Sequence, residues 1–200
     1  MARVKLTKTE LKAQTDALKR FQRFLPMLLL KKQQLQGEIA GIVAKVEATG
    51  AKERALREAL GRWAGLFAAG EEQLSGLVRV TDVRKGSANV AGVTIPTFES
   101  VEVEVREIDM WATPAWVDDA VKAATEVLSL QHERAVYEEQ RRLVAEELQQ
   151  TSQRVNLFEK VKIPECKENI RKIQIYIGDQ NTSAVARSKI AKKKLQETVA

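Results

Sequence analysis

Apolar residues recur every seven positions from Leu11 to Leu77. One set of sites runs Leu11, Leu18, Leu25, Lys32, Ile39, Val46, Glu53, Leu60, Phe67 and Leu74. A second set, three residues later each time, runs Gln14, Phe21, Leu28, Leu35, Ile42, Thr49, Leu56, Trp63, Gly70 and Leu77. Alternating steps of three and four place both sets on one helix face, and a strict seven-residue period implies left-handed supercoiling against a partner helix. At 1.5 Å per residue, a helix of about 65 residues is roughly 100 Å long, which predicts a rod rather than part of a globular core. Thr7 and Glu10 have capping-box spacing at its start. Pro26 interrupts the apolar pattern, removes one backbone hydrogen bond and predicts a local kink. Gly37, Gly41, Gly50, Gly61 and Gly65 lower helix propensity by about 1 kcal/mol each relative to Ala, so packing must hold this helix.

The period changes after Leu77. Val101, Val103 and Val105 alternate with Glu102, Glu104 and Arg106, the period-two signature of a half-buried strand. Residues 77–108 read as a small antiparallel hairpin or three-stranded element, with Lys85-Gly86-Ser87-Ala88-Asn89 as turn material. Helical patterning resumes at Thr113-Pro114, an N-cap followed by Pro in the first turn. The stripe from Val117 to Phe158 drifts in register. Order returns at Ile163, Cys166, Ile170, Ile173 and Ile177, and Pro164 predicts a second kink. The expected fold is all-α: a long antiparallel two-helix coiled coil with a small β-hairpin insertion between the helices. Residues 1–76 form the first helix, 77–110 the insert and 111–200 the second helix. In this arrangement the two chain ends meet at one tip and the hairpin lies toward the other.

Composition narrows the class. Apolar residues make up 44% of the chain and aromatic residues only 5%, which suits long helices better than a compact mixed core. A single cysteine, Cys166, excludes an intrachain disulfide and is compatible with a reducing cytoplasm. Phe24–Leu30, the longest strongly apolar patch, is too short to span a bilayer, and no secretory signal opens the chain. The net charge of +6 is uneven: residues 1–36 carry +7, the last twenty carry +4, and the remainder carries −5. That asymmetry predicts unlike partners at the two ends.

Three strings resemble one family. Asn89-Val-Ala-Gly-Val-Thr-Ile-Pro96 resembles the β motif after the first helix in the D subunit of the V/A-type rotary ATPases. Arg154-Val-Asn-Leu-Phe-Glu159, followed by Val161-Lys-Ile-Pro164, is similar to that family's C-terminal signature. The basic amphipathic opening from Leu11 to Gln36 is similar to its N-terminal helix, although Pro26 and the glycine content depart from the pattern. The resemblance implies a non-catalytic central-stalk subunit, the rotor axle that couples ATP hydrolysis or synthesis to proton or sodium-ion transport. It implies catalytic and non-catalytic nucleotide-binding ring subunits as partners at the end carrying both termini. A small companion stalk subunit and a funnel-shaped subunit on the membrane rotor ring are implied at the other end. The implied location is cytoplasmic, peripheral to the membrane through the complex.

The residues themselves leave other readings open. No phosphate loop of the form G-x-x-x-x-G-K-[ST] is present, and no cofactor, metal ligand set or catalytic residue is expected. His132 reads as a surface residue, Cys166 as a small core residue, and Glu138-Glu139 and Glu146-Glu147 as solvated helix faces. Lys12, Lys19, Arg20, Arg23, Arg187, Lys189, Lys192, Lys193 and Lys194 are candidate partner-binding residues, against a bland reading as a solvated coiled-coil flank. The basic ends carry no recognised nucleic-acid-binding motif. Trp111 and Trp116 are candidates for packing where β meets helix, or for binding the companion subunit. The rival function is a coiled-coil chaperone or scaffold that grips partners with its helix ends.

Overall fold

The structure, a computed structural model, describes residues 4–62, 77–106 and 116–199. Helix α1 spans Lys8–Gly61, strands β1 and β2 span Val78–Val90 and Val93–Val105, and helix α2 spans Trp116–Asn156. A π-helical turn, Leu157–Lys162, joins α2 to α3, Ile163–Val199. Two long helical stretches therefore flank a two-stranded antiparallel hairpin, the fold class that the periodicity predicts.

The seam is readable residue by residue. Every heptad site of α1 from Leu11 to Leu60 is buried or half-buried. At the start of α1 the Glu10 N–H donates to Thr7 Oγ1 at 3.2 Å, as an N-cap requires. The reciprocal half of a capping box is replaced: Glu10 Oε1 accepts from Gln14 Nε2 at 2.8 Å. Helix α1 continues through Pro26 without a break, with the neighbouring Gln22 and Arg23 exposed. Trp63 to Gly76 and the Thr113-Pro114 start lie outside the described residues.

The chain divides into two compact units, Lys32–Gln150 and Met1–Lys31 with Thr151–Ala200. In the first of these, α1 and α2 run antiparallel, since Glu53 meets Gln131 and Arg134 while Lys45 lies over the Tyr137 ring. Its core joins Leu35 and Ile42 of α1, Val144 of α2 and Ile95 of β2. Half-buried Ala88, Val90, Ala91 and Val93 pack against that core, so the hairpin tip is clamped to the helix pair. The Gln140 side-chain amide donates to the Pro96 carbonyl at 2.5 Å and fixes the same contact.

The hairpin corrects one expectation. Lys85 to Asn89 lie within β1, and the reversal is the two-residue loop Ala91-Gly92 between paired Val90 and Val93. Both loop residues have positive φ, 50° and 83°, as a type I′ turn needs, and the Gly92 N–H donates to Asn89 Oδ1 at 3.0 Å. Gly86 marks a close approach instead of a turn: a Cβ there would lie 2.5 Å from Glu99 Oε1 and 2.6 Å from Thr97 Oγ1. It sits just past a register shift between Arg84 and Lys85. A third strand is absent from the described residues.

In the other unit, Phe21 of α1 meets Phe158, ring centroids 5.0 Å apart. Thr151, Val155, Cys166 and Ile173 are buried there, whereas no α1 side chain between Lys8 and Lys31 is. The π turn sits just before Pro164. A proline ring clashes with the carbonyl four residues back, and a π turn displaces that carbonyl. The Ile163 N–H accordingly bonds to the Phe158 carbonyl, five residues back.

Candidate partner-binding surfaces

The unit formed by residues 1–31 and 151–200 gathers the predicted basic candidates. Lys12, Lys19, Arg20 and Arg23 of α1 and Arg187, Lys189, Lys192, Lys193 and Lys194 of α3 are all exposed. They line two different kinds of surface. The α1 group flanks a helix that has a partner, through Phe21 and Phe158. The α3 group lies in Gly178–Gln196, where every residue is exposed, so this stretch buries no face against another element.

The same unit exposes apolar side chains that the charge reading passed over. Leu6, Phe24, Met27, Leu29 and Leu30 are exposed in the first segment, Leu157 and Val161 in the π turn, and Ile175, Tyr176, Val185, Ile190 and Leu195 in α3. Among the described residues, Val105 is the sole exposed large hydrophobic outside this unit. Scattered exposed apolar residues are ordinary, but twelve in one unit make it a candidate interaction surface. The signal was present in the sequence: Phe24, Met27, Leu29 and Leu30 are apolar residues at positions the seam does not use.

The hairpin-bearing unit has a different surface. Arg142 bridges Glu139 at 2.6 Å and Glu146 at 2.7 Å along α2, and Arg134 reaches Glu138 at 3.1 Å. The acidic doublets thus form a salt-bridged helix face, and Glu139 is held below the ordinary carboxylate range by its hydrogen bond from Arg142. Trp116, the first described residue of α2, is half-buried beside buried Val117, Ala120 and Val121, while Trp111 lies outside the described residues. Cys166 is buried and its thiol is pushed up chiefly by that burial, the behaviour of a packing residue. Among the described residues, no cluster of three or more His, Cys, Asp or Glu could hold a metal ion. Nor is any described helix long and apolar enough to cross a membrane.

Comparison with known proteins places this arrangement. The family profile described as the D subunit of ATP synthase matches residues 10–193, spanning both helical stretches and the hairpin. The chain belongs to the ATP synthase D-subunit family. The V-type ATP synthase D subunit of Borreliella burgdorferi is 45% identical over 195 residues, 98% of this chain and 96% of that protein. Those of Chlamydia felis and Chlamydia caviae are 32% and 30% identical over 198 residues, each alignment covering 98% of this chain and 95% of the relative. The family match includes the basic α1 segment and α3 as far as Lys193.

This member of the D-subunit family also carries a polar layer inside its seam. Glu53 is buried at a heptad site, accepting from Gln131 at 3.2 Å and from Arg57 and Arg134 at 3.1 and 3.4 Å. The Gln131 hydrogen bond is the largest cause holding the Glu53 carboxyl below its ordinary value; burial opposes it, and Arg57 and Arg134 act with Gln131. A depressed folded-state pKa adds stability that is present above the unfolded value, about pH 4.3, and is lost as pH falls through the folded one. Glu53→Gln is therefore expected to flatten the acid limb of the unfolding profile below about pH 4.3. Thermal melts from pH 7 to 3 check this; parallel curves for parent and variant would refute it. A buried polar layer in a coiled coil also disfavours slipped registers.

Proposed function

We propose that this chain is the non-catalytic axle of the central stalk in a V/A-type ATP synthase or ATPase. The observation carrying this reading is the concentration of exposed apolar and basic side chains on residues 4–31 and 151–196, including every face of Gly178–Gln196. A bare helix with Val185, Ile190 and Leu195 in water is a poor end state for a monomer, and a ring of subunits around it would cover all faces at once. Membership of the ATP synthase D-subunit family supports this reading, because such a subunit works within a multi-subunit complex. The partners of this end are the catalytic and non-catalytic nucleotide-binding subunits. The salt-bridged, hairpin-bearing unit would face the small companion stalk subunit, with Trp116 in that contact, and then the funnel-shaped subunit on the membrane rotor ring. The location is the cytoplasmic face of the membrane, peripheral to it through the complex.

An axle acts by differential contact. Its faces differ, so at one angle each ring subunit meets a different set of side chains and its open and closed states shift in population accordingly. Rotation moves that bias around the ring and links nucleotide turnover to proton or sodium-ion movement in the membrane rotor. Residues of the axle hold and steer; nucleotide chemistry belongs to the ring.

Co-purification tests the reading. The tagged chain is expected to bring down nucleotide-binding subunits in fixed stoichiometry, whereas a mixed set of clients would mark a coiled-coil chaperone or scaffold. Replacing Lys192, Lys193 and Lys194 together with Gln is expected to lower recovery of ring subunits about tenfold while leaving the melting temperature of the isolated chain within a few degrees. Full assembly and normal ATPase activity in that variant would remove the basic cluster from the contact.

A further inference from the structure

The π turn has a role that the seam itself defines. Thr151, Val155 and Phe158 follow the alternating four and three steps of a heptad seam, and continuing those steps leads to Lys162, Glu165, Asn169, Lys172 and Tyr176. Past Lys162, the seam instead uses Cys166, Ile170, Ile173 and Ile177, each one residue later. Cys166 and Ile173 are buried, whereas Glu165, Lys172 and Tyr176 are exposed. A π turn is a one-residue insertion in an α-helix, so Leu157–Lys162 absorbs the offset and returns an apolar face to the seam.

Pro164 fixes the insertion in place. In an unbroken α-helix its ring would meet the Lys160 carbonyl, and it has no N–H to give. Moving the wide turn further along α3 would restore that clash. Moving it back past Phe158 would take that residue out of its contact with Phe21.

The same level is weakly held. None of Leu157–Lys162 is buried. On the facing segment of α1, Pro26 leaves the Gln22 carbonyl without its helical donor, one residue from the Phe21 ring that touches Phe158. Few buried contacts and missing helical hydrogen bonds on both helices are the conditions for local opening and twist. We propose that the π turn, locked in sequence by Pro164 and clamped by the Phe21–Phe158 contact, is a torsional joint through which this part of the chain twists during turnover. The mechanical statement is independent of the axle reading; only its role in turnover rests on that reading.

The test removes the inserted residue. Deleting Lys160 together with Pro164→Ala closes the turn to α-helix and keeps Val155, Phe158, Cys166, Ile170 and Ile173 in the seam. Deleting Lys167 instead would bring Arg171, Gln174 and Gly178 into the seam positions of Ile170, Ile173 and Ile177. In the full chain, the Lys160 deletion with Pro164→Ala should melt no lower than the parent, and the Lys167 deletion more than 10 °C lower. By amide hydrogen exchange, Val161, Lys162 and Ile163 of the parent should exchange at least tenfold faster than Val155 and Ile173, and that difference should vanish in the closed variant. Equal melting losses for the two deletions, or equal exchange along the parent helix, would overturn the joint. In the assembled complex, the closed variant should assemble normally and turn over ATP about threefold more slowly, since conformational steps commonly set kcat. Unchanged turnover with altered exchange would overturn the role in turnover and leave the axle reading intact, whereas failure of the parent to assemble would count against the axle alone.

Discussion

Leu35→Ala is expected to destabilise the chain by about 3 kcal/mol, within the 2–5 kcal/mol range for buried Leu truncations. Leu35 is 0% exposed and belongs to the cluster with Ile42, Val144 and Ile95 that joins both helices and the hairpin. Truncation removes transfer free energy and opens a cavity that long helices and a clamped hairpin collapse around poorly. The contrast with Leu30, five residues earlier and 58% exposed, sharpens the expectation. Leu30→Ala should change stability by no more than about 0.5 kcal/mol. Urea denaturation of the two variants checks this, and equal midpoints would show that the cluster is not where the helices are held.

The seam was legible because a heptad repeats its signal many times. Leu11 to Leu60 supply fifteen sites in α1, and replacement at Lys32, Thr49 or Glu53 does not obscure the rest. Features that occur once were harder to read. The string Lys85-Gly86-Ser87-Ala88-Asn89 has strong turn composition, yet the reversal falls at Ala91-Gly92, where one non-glycine residue adopts positive φ under tertiary clamping. Gly86 leaves room for the Glu99 and Thr97 side chains across the strands, which composition cannot distinguish from a turn. At the π turn the sequence offered only Pro164 and the kink it predicts, because a single inserted residue has no motif of its own. Glu53 breaks the apolar repeat, and the partners that explain it, Gln131 and Arg134, lie seventy-eight and eighty-one residues away in sequence. Of the proposed partner surface, charge was legible from the residue list. Its apolar part required subtracting the seam first.

That apolar part is where the largest functional effect is expected. Phe24→Ser with Met27→Ser should reduce recovery of nucleotide-binding subunits by roughly thirtyfold or more, since loss of apolar anchors at an interface costs about 2 kcal/mol or more in favourable cases. The two side chains are 48% and 62% exposed, and both avoid the heptad seam. Arg20, Arg23, Phe24 and Met27 follow steps of three, one and three on α1, so the apolar pair is flanked by charge on one side of the helix. A partner that fits this face offers apolar contact with carboxylates around it, which sets both binding and orientation. The isolated chain should be unaffected or more soluble, because nothing buried is lost. Leu25→Ser, at the adjacent half-buried seam site, should do the opposite: lower the melting temperature of the isolated chain and weaken assembly only through that loss. The pair separates surface from seam within three residues of one helix. Full recovery of ring subunits by the Phe24 and Met27 double variant would mean that the exposed face of α1 is solvated in the complex, and that the covering argument holds for α3 alone.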